Sequence, residues 1–502
     1  MPKLGRILRT SPAIWLGTLI VLLCVGGYLR MNELGSQPYW MDEGYTVSAT
    51  LSVLENGTTV LDSGKPYSCP IYCYTSAAIA QTFGDDASSY RILSALAGTA
   101  LIAVVFFFAR RLFGAYPALL AAAFTALSYY QIAWSRQARW YTLFELFFVL
   151  ALFFFYQALY DEGRRHRTIY ALLCAGATIL AILSHGLGVL LIGVFAAWLF
   201  IDGVCIRKNT HATLVGLGAL AASAVLLFTT PQGASLLSRI DPFFALPYYT
   251  GFYLAAYSLF LALALVALWY KRREKAVWFL VLAILAYLIP IGFLTEVVHY
   301  RYLLHLMPLL FMLAGVGLFE MLTRLKQLHA RCIFGGLVAF LFFASGTLIA
   351  TPQGFYFLEA DDPELAPGLS YYAYTPQPDW NAAYAFIEEN RAGDDIVVST
   401  MPQFNKVFLR EPGYWLKHDY YRAGEGDSFV EDDREYYANA VVVDDLEELE
   451  ELAQEHDGFL VFDYMATDGR LSFETLNYIA EALTLAFHKR ENEYSQVWVY
   501  RF

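Results

Sequence analysis

Two acidic residues in succession, Asp42 and Glu43, stand in the string YWMDEGYT, with aromatic residues on both sides. Paired acids beside Trp40 and Tyr45 have the makings of a general base and a supporting carboxylate. The competing reading is structural: Asp42 begins a helix over 43–55 as its N-cap, with Glu43 in the first turn. A second group of residues is cationic. Arg136 and Arg139 lie in SRQARWY, which ends on Tyr141, and residues three apart share one helical face. Guanidinium groups bind phosphate bidentately, so a phosphate would explain the pair; the plainer alternative is snorkelling to lipid headgroups. Lys65 in GKPY, Arg91 in SYRILSALAG, His185 in LSHGLG, and His299 and Arg301 in HYRY complete the set.

These groups can cooperate only if the chain brings them to one place. Hydrophobic residues make up 58% of the 502 and charged residues 16%, against roughly 25% charged in a soluble domain. A polytopic membrane protein is expected. Spanning needs about 20 apolar residues per helix, and eleven segments qualify: 13–30, 88–109, 115–132, 140–160, 168–184, 187–204, 211–229, 250–270, 276–295, 302–322 and 332–350. The apolar run 70–83 is shorter and is expected to be a helix at the interface. With the N-terminus inside, the short inner loops carry 17 Lys and Arg and the outer ones 7, which fixes the orientation by the positive-inside trend. The stretch 13–30 then reads as an anchor without a cleavage site. The named cationic groups fall at outer ends of spans, on the same side as Asp42, and together suggest an outer site for a lipid phosphate.

Long outer loops at 31–87 and 230–249 are candidate functional loops. From Gln353 the composition changes: residues 353–502 hold 10 Lys and Arg against 31 Asp and Glu, and residues 1–352 hold 24 against 15. A basic membrane domain, 1–352, therefore carries an acidic extracytoplasmic domain, 353–502. After a proline-rich stretch at 353–378, the sequence predicts a helix over 379–391, ended by Gly393, strands at 396–400, 440–443, 458–462 and 497–500, and helices over 446–456 and 473–487. That alternation implies a small α/β domain with a partly parallel sheet and an antiparallel last strand. The acid pairs Asp361-Asp362, Asp394-Asp395 and Asp444-Asp445 read as solvated turns and caps. Cys24, Cys174, Cys205 and Cys332 read as small apolar residues in or at the ends of spans. Cys69 and Cys73, in a polar loop, pair if that loop faces an oxidising compartment and otherwise stay free. Their CxxxC spacing has no further His or Cys partner, and no zinc signature, Walker loop, GxGxxG or nucleic-acid-binding surface is present. Asn56-Gly-Thr is a glycosylation triplet of a kind that is frequent by chance.

In order, the strings YWMDEGYT, GKPY…PIYCY, SYRILSALAG, ARRLFG, YYQIAWSRQARWYTL, LSHGLG, HYRYLLHLMPLL and PDWNAAYAFIEEN resemble the GT-C superfamily. The likeness is to the branch of protein O-mannosyltransferases and the bacterial transferases that add aminoarabinose to lipid A, over about residues 10–320. The resemblance implies transfer of a sugar from a polyprenyl-phosphate carrier to an acceptor outside the membrane. Asp42 would match the base acting on the acceptor hydroxyl, with Glu43 completing its pair. Arg136 and Arg139 would match the basic motif near the donor phosphate. Lys65, Arg91, Tyr141, His185, His299 and Arg301 would match the lining of the donor cavity. Gln137 departs from the family, where an acid is common, and YSCPIY replaces a plain Pro-Pro-Leu run.

The expected reaction is an inverting transfer of mannose or another hexose or pentose to a protein, glycan or lipid. It needs a base on one face and cationic groups on the other, without the second carboxylate of a glycosidase. It requires no cofactor, and a divalent metal is compatible but not indicated. The expected location is the plasma or inner membrane, with the N-terminus cytoplasmic. A flippase of lipid-linked glycans and a non-catalytic envelope scaffold are the competing classes. The first would show internal repeats and mid-membrane charges.

Overall fold

The structure, a computed structural model, describes residues 12–67, 69–229, 251, 254, 257–294, 300–349, 378–417, 430–490 and 495–502. The predicted positions that fall elsewhere, among them His299, the loop 230–249 and nearly all of the stretch 353–378, lie outside the described residues.

The membrane part runs α1 (Pro12–Met31), α2 (Met41–Asn56), α3 (Pro70–Phe83), α4 (Ala87–Phe113), α5 (Ala115–Leu127), α6 (Tyr129–Ser135), α7 (Tyr141–Tyr160), α8 (Arg164–Ser184), α9 (Leu190–Ile201), α10 (Thr210–Thr229), α11 (Ser258–Lys271), α12 (Lys275–Leu294), α13 (Met307–Arg324) and α14 (Leu328–Ala344). Among the described residues, seven helical segments are long and apolar enough to cross a membrane. Four of the eleven expected spans are shorter apolar helices there: Ala115–Leu127, Thr210–Ala222, Ser258–Lys271 and Leu328–Ala344.

The expected span 115–132 is broken, and the break shapes the site. Ser128 is extended (φ −62°, ψ 123°), its hydroxyl caps α6 at Gln131, and the chain turns into a separate short helix. The backbone groups freed at the break are taken up by the strand-like stretch after α14. Ile349 N–H donates to Leu127 O (2.9 Å) and Tyr129 N–H to Thr347 O (3.1 Å). A helix can be interrupted inside a membrane protein only where its freed groups find such partners.

After Pro378 the chain forms α15 (Trp380–Asn390), α16 (Leu446–Glu455) and α17 (Phe473–Ala482) around one eight-stranded sheet. Its strands are β1 (Ile396–Ser399), β2 (Tyr414–Leu416), β3 (Val430–Glu431), β4 (Arg434–Glu435), β5 (Val441–Val443), β6 (Gly458–Asp463), β7 (Thr484–Lys489) and β8 (Val497–Arg501), in the order β3-β4-β5-β2-β1-β6-β8-β7. The centre, β5-β2-β1-β6, is parallel and the last strand β8 is antiparallel, as the α/β reading anticipated; β2 and the antiparallel flank formed by β3 and β4 were not expected. The predicted helix over 473–487 is corrected: it stops at Ala482, and Thr484–Lys489 pairs with β8 instead. A neighbouring strand with open backbone groups outweighs the helical spacing of that run.

The C-terminal sheet domain grips the helix that bears Asp42. Gln403 Nε2 donates to Met41 O (3.2 Å), and the Ser48 hydroxyl donates to Gln403 O (3.4 Å). Val47 and Leu51 of α2 pack in one apolar cluster with Trp380, Ala383, Phe404 and Val407. The approach is so close that a Cβ at Gly44 would lie 2.6 Å from Gln403 Cγ and 3.0 Å from Phe404 Cε1. Lys406 adds ion pairs with Glu55 (2.7 Å) and Asp62 (3.1 Å).

Candidate active site

Asp42 stands in the first turn of α2 but does not cap it. The N-cap position belongs to Trp40, whose N–H donates to Glu43 Oε2 (2.9 Å), so Glu43 closes the helix end. Asp42 is left with its carboxylate directed at cations: Oδ2 lies 3.3 Å from Arg139 Nη2 and 3.5 Å from Arg301 Nη2. It remains about one fifth exposed, whereas Arg139 and Arg301 are largely buried.

Arg139 is held from several directions. Its Nη1 donates to Asp42 O (2.8 Å), Thr46 Oγ1 (2.9 Å) and Tyr67 Oη (3.0 Å). Its guanidinium lies 4.1 Å from the centre of the Trp140 ring and 5.5 Å from that of Tyr141. Arg301 lies over Trp40 (5.2 Å) and Tyr141 (5.9 Å). These rings hold the two guanidinium groups without neutralising them, leaving charge for an anion. His185 joins the same wall: its ring is 5.6 Å from Tyr141 and 6.0 Å from Tyr302, and its Nδ1 accepts the Leu187 N–H (3.1 Å). Asp42, Arg139, Tyr141, His185 and Arg301 are therefore brought together.

Glu43 and Arg91 are placed differently from the expected catalytic and donor-lining roles. Both side chains are 1% exposed, and they form a bidentate pair, Nε to Oε1 and Nη2 to Oε2, each 2.8 Å. Arg91 also donates to the carbonyls of Leu34 (3.1 Å), Gln37 (2.9 Å) and Pro38 (3.0 Å), and Glu43 Oε1 accepts the Ala138 N–H (2.6 Å). Every charged atom of the pair is occupied, so the pair ties the 34–38 turn, α2 and the 136–139 loop into one frame. Arg136 is likewise withdrawn from the phosphate role. Its Nη1 donates to the carbonyls of Leu29 (3.2 Å), Arg30 (3.3 Å) and Asn32 (2.8 Å), and its Nη2 to Glu33 (3.1 Å). A cation on the orphan carbonyls at the C-terminal end of α1 satisfies that helix end and its dipole. Lys65 is not on Asp42 either: it pairs with Glu431 of the sheet domain and lies 5.1 Å from the Tyr436 ring. Cys69 and Cys73 form a disulfide at the start of α3. It lies two residues after Tyr67, which reaches Arg139.

Some site residues went unread in the sequence. Thr46 and Tyr67 bind Arg139, and Trp140 joins Trp40 in walling it; the signals were Thr46 one turn after Asp42 and Trp140 next to Arg139, with none for Tyr67. Glu145 is fully buried in α7 and accepts from Gln131 Nε2 (2.6 Å), while its Oε2 has no partner among the described residues. The signal was a lone acid in YTLFELFF, since an intramembrane carboxylate is costly and rarely idle. Among the described residues no group of three or more His, Cys, Asp or Glu side chains could hold a metal ion.

The turn after β4 stacks on the site's outer rim. Tyr437 lies 5.0 Å from Tyr45 and 6.4 Å from Tyr67 between ring centres. Glu435 anchors this turn by accepting the N–H groups of Tyr437 (2.9 Å) and Ala438. Burial raises the Glu435 carboxyl from an ordinary 4.5 to about 7, against the pull of those two amides. The folded chain then keeps a proton that the unfolded chain loses between these values. The group's contribution to stability therefore declines as pH rises from about 4.5 to 7 and is flat above. Glu435→Gln should make the Tm of the full chain in detergent fall less over that window; an unaltered pH slope would contradict this. Asp463, raised to about 6 by burial, supplies a residual slope of the same sign.

Residues 65–228 match the family described as dolichyl-phosphate-mannose-protein mannosyltransferase, a stretch that includes Arg139, Tyr141 and His185 but not Asp42 or Arg301. No curated protein matches the sequence. Among solved structures, ArnT from Cupriavidus metallidurans bound to undecaprenyl phosphate is similar over 98% of both chains, at 16% identity and a TM-score of 0.60. The apo oligosaccharyltransferase of Archaeoglobus fulgidus is similar over 91% of this chain and 70% of that one, at 14% identity and a TM-score of 0.60. The oligosaccharyltransferase AglB of the same organism, in complex with an inhibitory peptide and a dolichol-phosphate, aligns over 90% and 70%, at 14% identity and a TM-score of 0.57. The chain thus has the GT-C glycosyltransferase fold, in agreement with the resemblance carried by its motifs.

Proposed function

We propose that the protein transfers a sugar from a polyprenyl-phosphate carrier to a hydroxyl-bearing acceptor outside the membrane, with inversion at the anomeric carbon. The observation that carries this is a part-exposed carboxylate, Asp42, set 3.3 and 3.5 Å from two ring-walled guanidinium groups. Arg139 and Arg301 face Asp42. An arriving donor phosphate competes for their N–H groups and leaves the carboxylate for the acceptor hydroxyl. Asp42 takes the hydroxyl proton as the oxygen attacks the anomeric carbon, and the phosphate leaves with its bonding pair onto oxygens already held by Arg139 and Arg301. No general acid is needed, because a phosphate carries its own charge. Glu43 and Arg91 position the loop and helix that hold Asp42 and Arg139.

The matched family and the lipid phosphates bound to ArnT and AglB support the donor class. So does an apolar groove of about 390 Å³ lined by Leu261, Leu265, Leu285, Leu306, Leu310 and Leu313. Its α13 wall continues directly from the Tyr300–Leu306 turn bearing Arg301, so a phosphate on Arg301 can send its isoprenoid tail along leucines. Mannose or another hexose or pentose is the proposed sugar, and a protein, glycan or lipid the acceptor. The proposed location is a plasma or inner membrane, N-terminus inside, with residues 353–502 forming an outer domain.

Arg139→Ala should weaken binding of undecaprenyl phosphate by about tenfold or more, the cost of lost charge-assisted hydrogen bonds. Arg139→Lys should recover only part of it, because the planar fork is gone. Unchanged binding in Arg139→Ala, measured on purified folded protein, would remove Arg139 from the donor site.

A further inference from the structure

Arg110 and Arg111 end α4 at the opposite end from Arg91, roughly 28 Å along the helix axis. They border a cavity of about 760 Å³ between α4 and α7 that is separate from the Asp42 site. Gly114, at φ 90°, turns the chain sharply into α5 at its edge, a conformation that disfavours any side chain. Both guanidinium groups are fixed in place. Arg110 lies 4.2 Å over the Trp15 ring, and Arg111 donates to Gln157 Oε1 (2.6 Å) and Tyr160 O (3.1 Å).

Their remaining donors are open. Arg110 donates no hydrogen bond among the described residues, and Arg111 keeps its Nη1 unused. Gln157 is 7% exposed, and its amide NH₂ likewise donates to nothing among the described residues. None of the lining residues is acidic, and two guanidinium groups border the cavity's mouth. Its other walls are apolar, from Phe107, Leu150 and Phe153. A cationic, donor-rich mouth over an apolar interior at a membrane face has the polarity of a lipid head with the start of its chains.

We propose that this cavity binds the headgroup of an acidic two-chain phospholipid. Arg110, Arg111 and the Gln157 amide would hold its phosphate, and the apolar walls its glycerol and first methylenes. A zwitterionic headgroup is disfavoured because its ammonium would enter beside two guanidinium groups, whereas each Arg attracts an anionic lipid by about 1 kcal/mol. The site is independent of the donor clamp at the other end of α4.

Native mass spectrometry of the full chain in detergent, titrated with phosphatidylglycerol or phosphatidylcholine, tests this. Wild type should retain phosphatidylglycerol about thirtyfold more strongly, from two such attractions. Arg110→Gln/Arg111→Gln should retain the two lipids alike. Arg110→Gln alone spares the bonds to Gln157 and Tyr160, so the bracing of α7 survives while part of the preference is lost. Equal retention in wild type, or an unchanged preference in the double variant, overturns the proposal. Displacement of the lipid by equimolar inorganic phosphate would overturn it in favour of a free-anion site. Displacement by undecaprenyl phosphate at lower concentration would overturn it in favour of a carrier site.

Discussion

Asp42→Asn should lower turnover by about 10²–10⁴-fold, the usual contribution of a general base. The substitution keeps the size of the side chain and touches no capping bond, since Trp40 and Glu43 close the start of α2 without Asp42. Folding should therefore survive. Donor binding should persist, because Arg139 retains its bonds to Thr46 and Tyr67 and its ring contacts with Trp140 and Tyr141. The informative pattern is a collapsed rate with undecaprenyl-phosphate affinity held. Near-normal turnover in folded Asp42→Asn protein would put the base elsewhere. Equal loss of binding and rate would make Asp42 an organiser of the guanidinium groups and not a proton acceptor.

Removing Arg91 should affect stability instead. Arg91→Met leaves Glu43 as a buried carboxylate without its cation and frees the carbonyls of Leu34, Gln37 and Pro38. Breaking a buried pair from one side typically costs about 3–5 kcal/mol. Arg91→Lys should restore a minority of that, since one ammonium cannot serve both carboxylate oxygens and three carbonyls. Thermal unfolding in detergent reads the effect, and Glu43→Gln/Arg91→Met should be less destabilised than the two single changes predict when summed. Undecaprenyl-phosphate affinity per folded molecule should be little altered in Arg91→Lys. A strong loss of affinity without a loss of stability would return Arg91 to the donor cavity.

The contrast between Asp42 and Arg91 shows what the sequence could carry. Seven of the eleven expected spans were legible, among the described residues, because twenty apolar residues in a row have few other uses, and the centre of the sheet domain was legible because β-branched runs alternate with amphipathic helices. Asp42 stood out by its aromatic neighbours, and Arg139 and Arg301 by being cations at span ends that the positive-inside trend would leave without them. Residue type could not separate them from Arg91 and Arg136, which look the same in sequence. What separates them is what lies across the fold: Glu43, 48 positions before Arg91, and the carbonyl end of α1, about a hundred before Arg136. Such pairings are tertiary facts. The break at Ser128 is another, since it depends on Thr347 and Ile349. So is β7, whose run has helical spacing until β8 offers it a ladder.

Mass spectrometry of lipids extracted from the purified protein tests the central claim most directly. Wild-type protein should carry polyprenyl phosphate or its glycosylated form, and the sugar mass would name the donor. Protein with Arg139→Ala and Arg301→Ala, folded and purified identically, should carry about tenfold less or none. Equal amounts of polyprenyl phosphate on both proteins, or none on either, would contradict a donor phosphate bound between Asp42, Arg139 and Arg301.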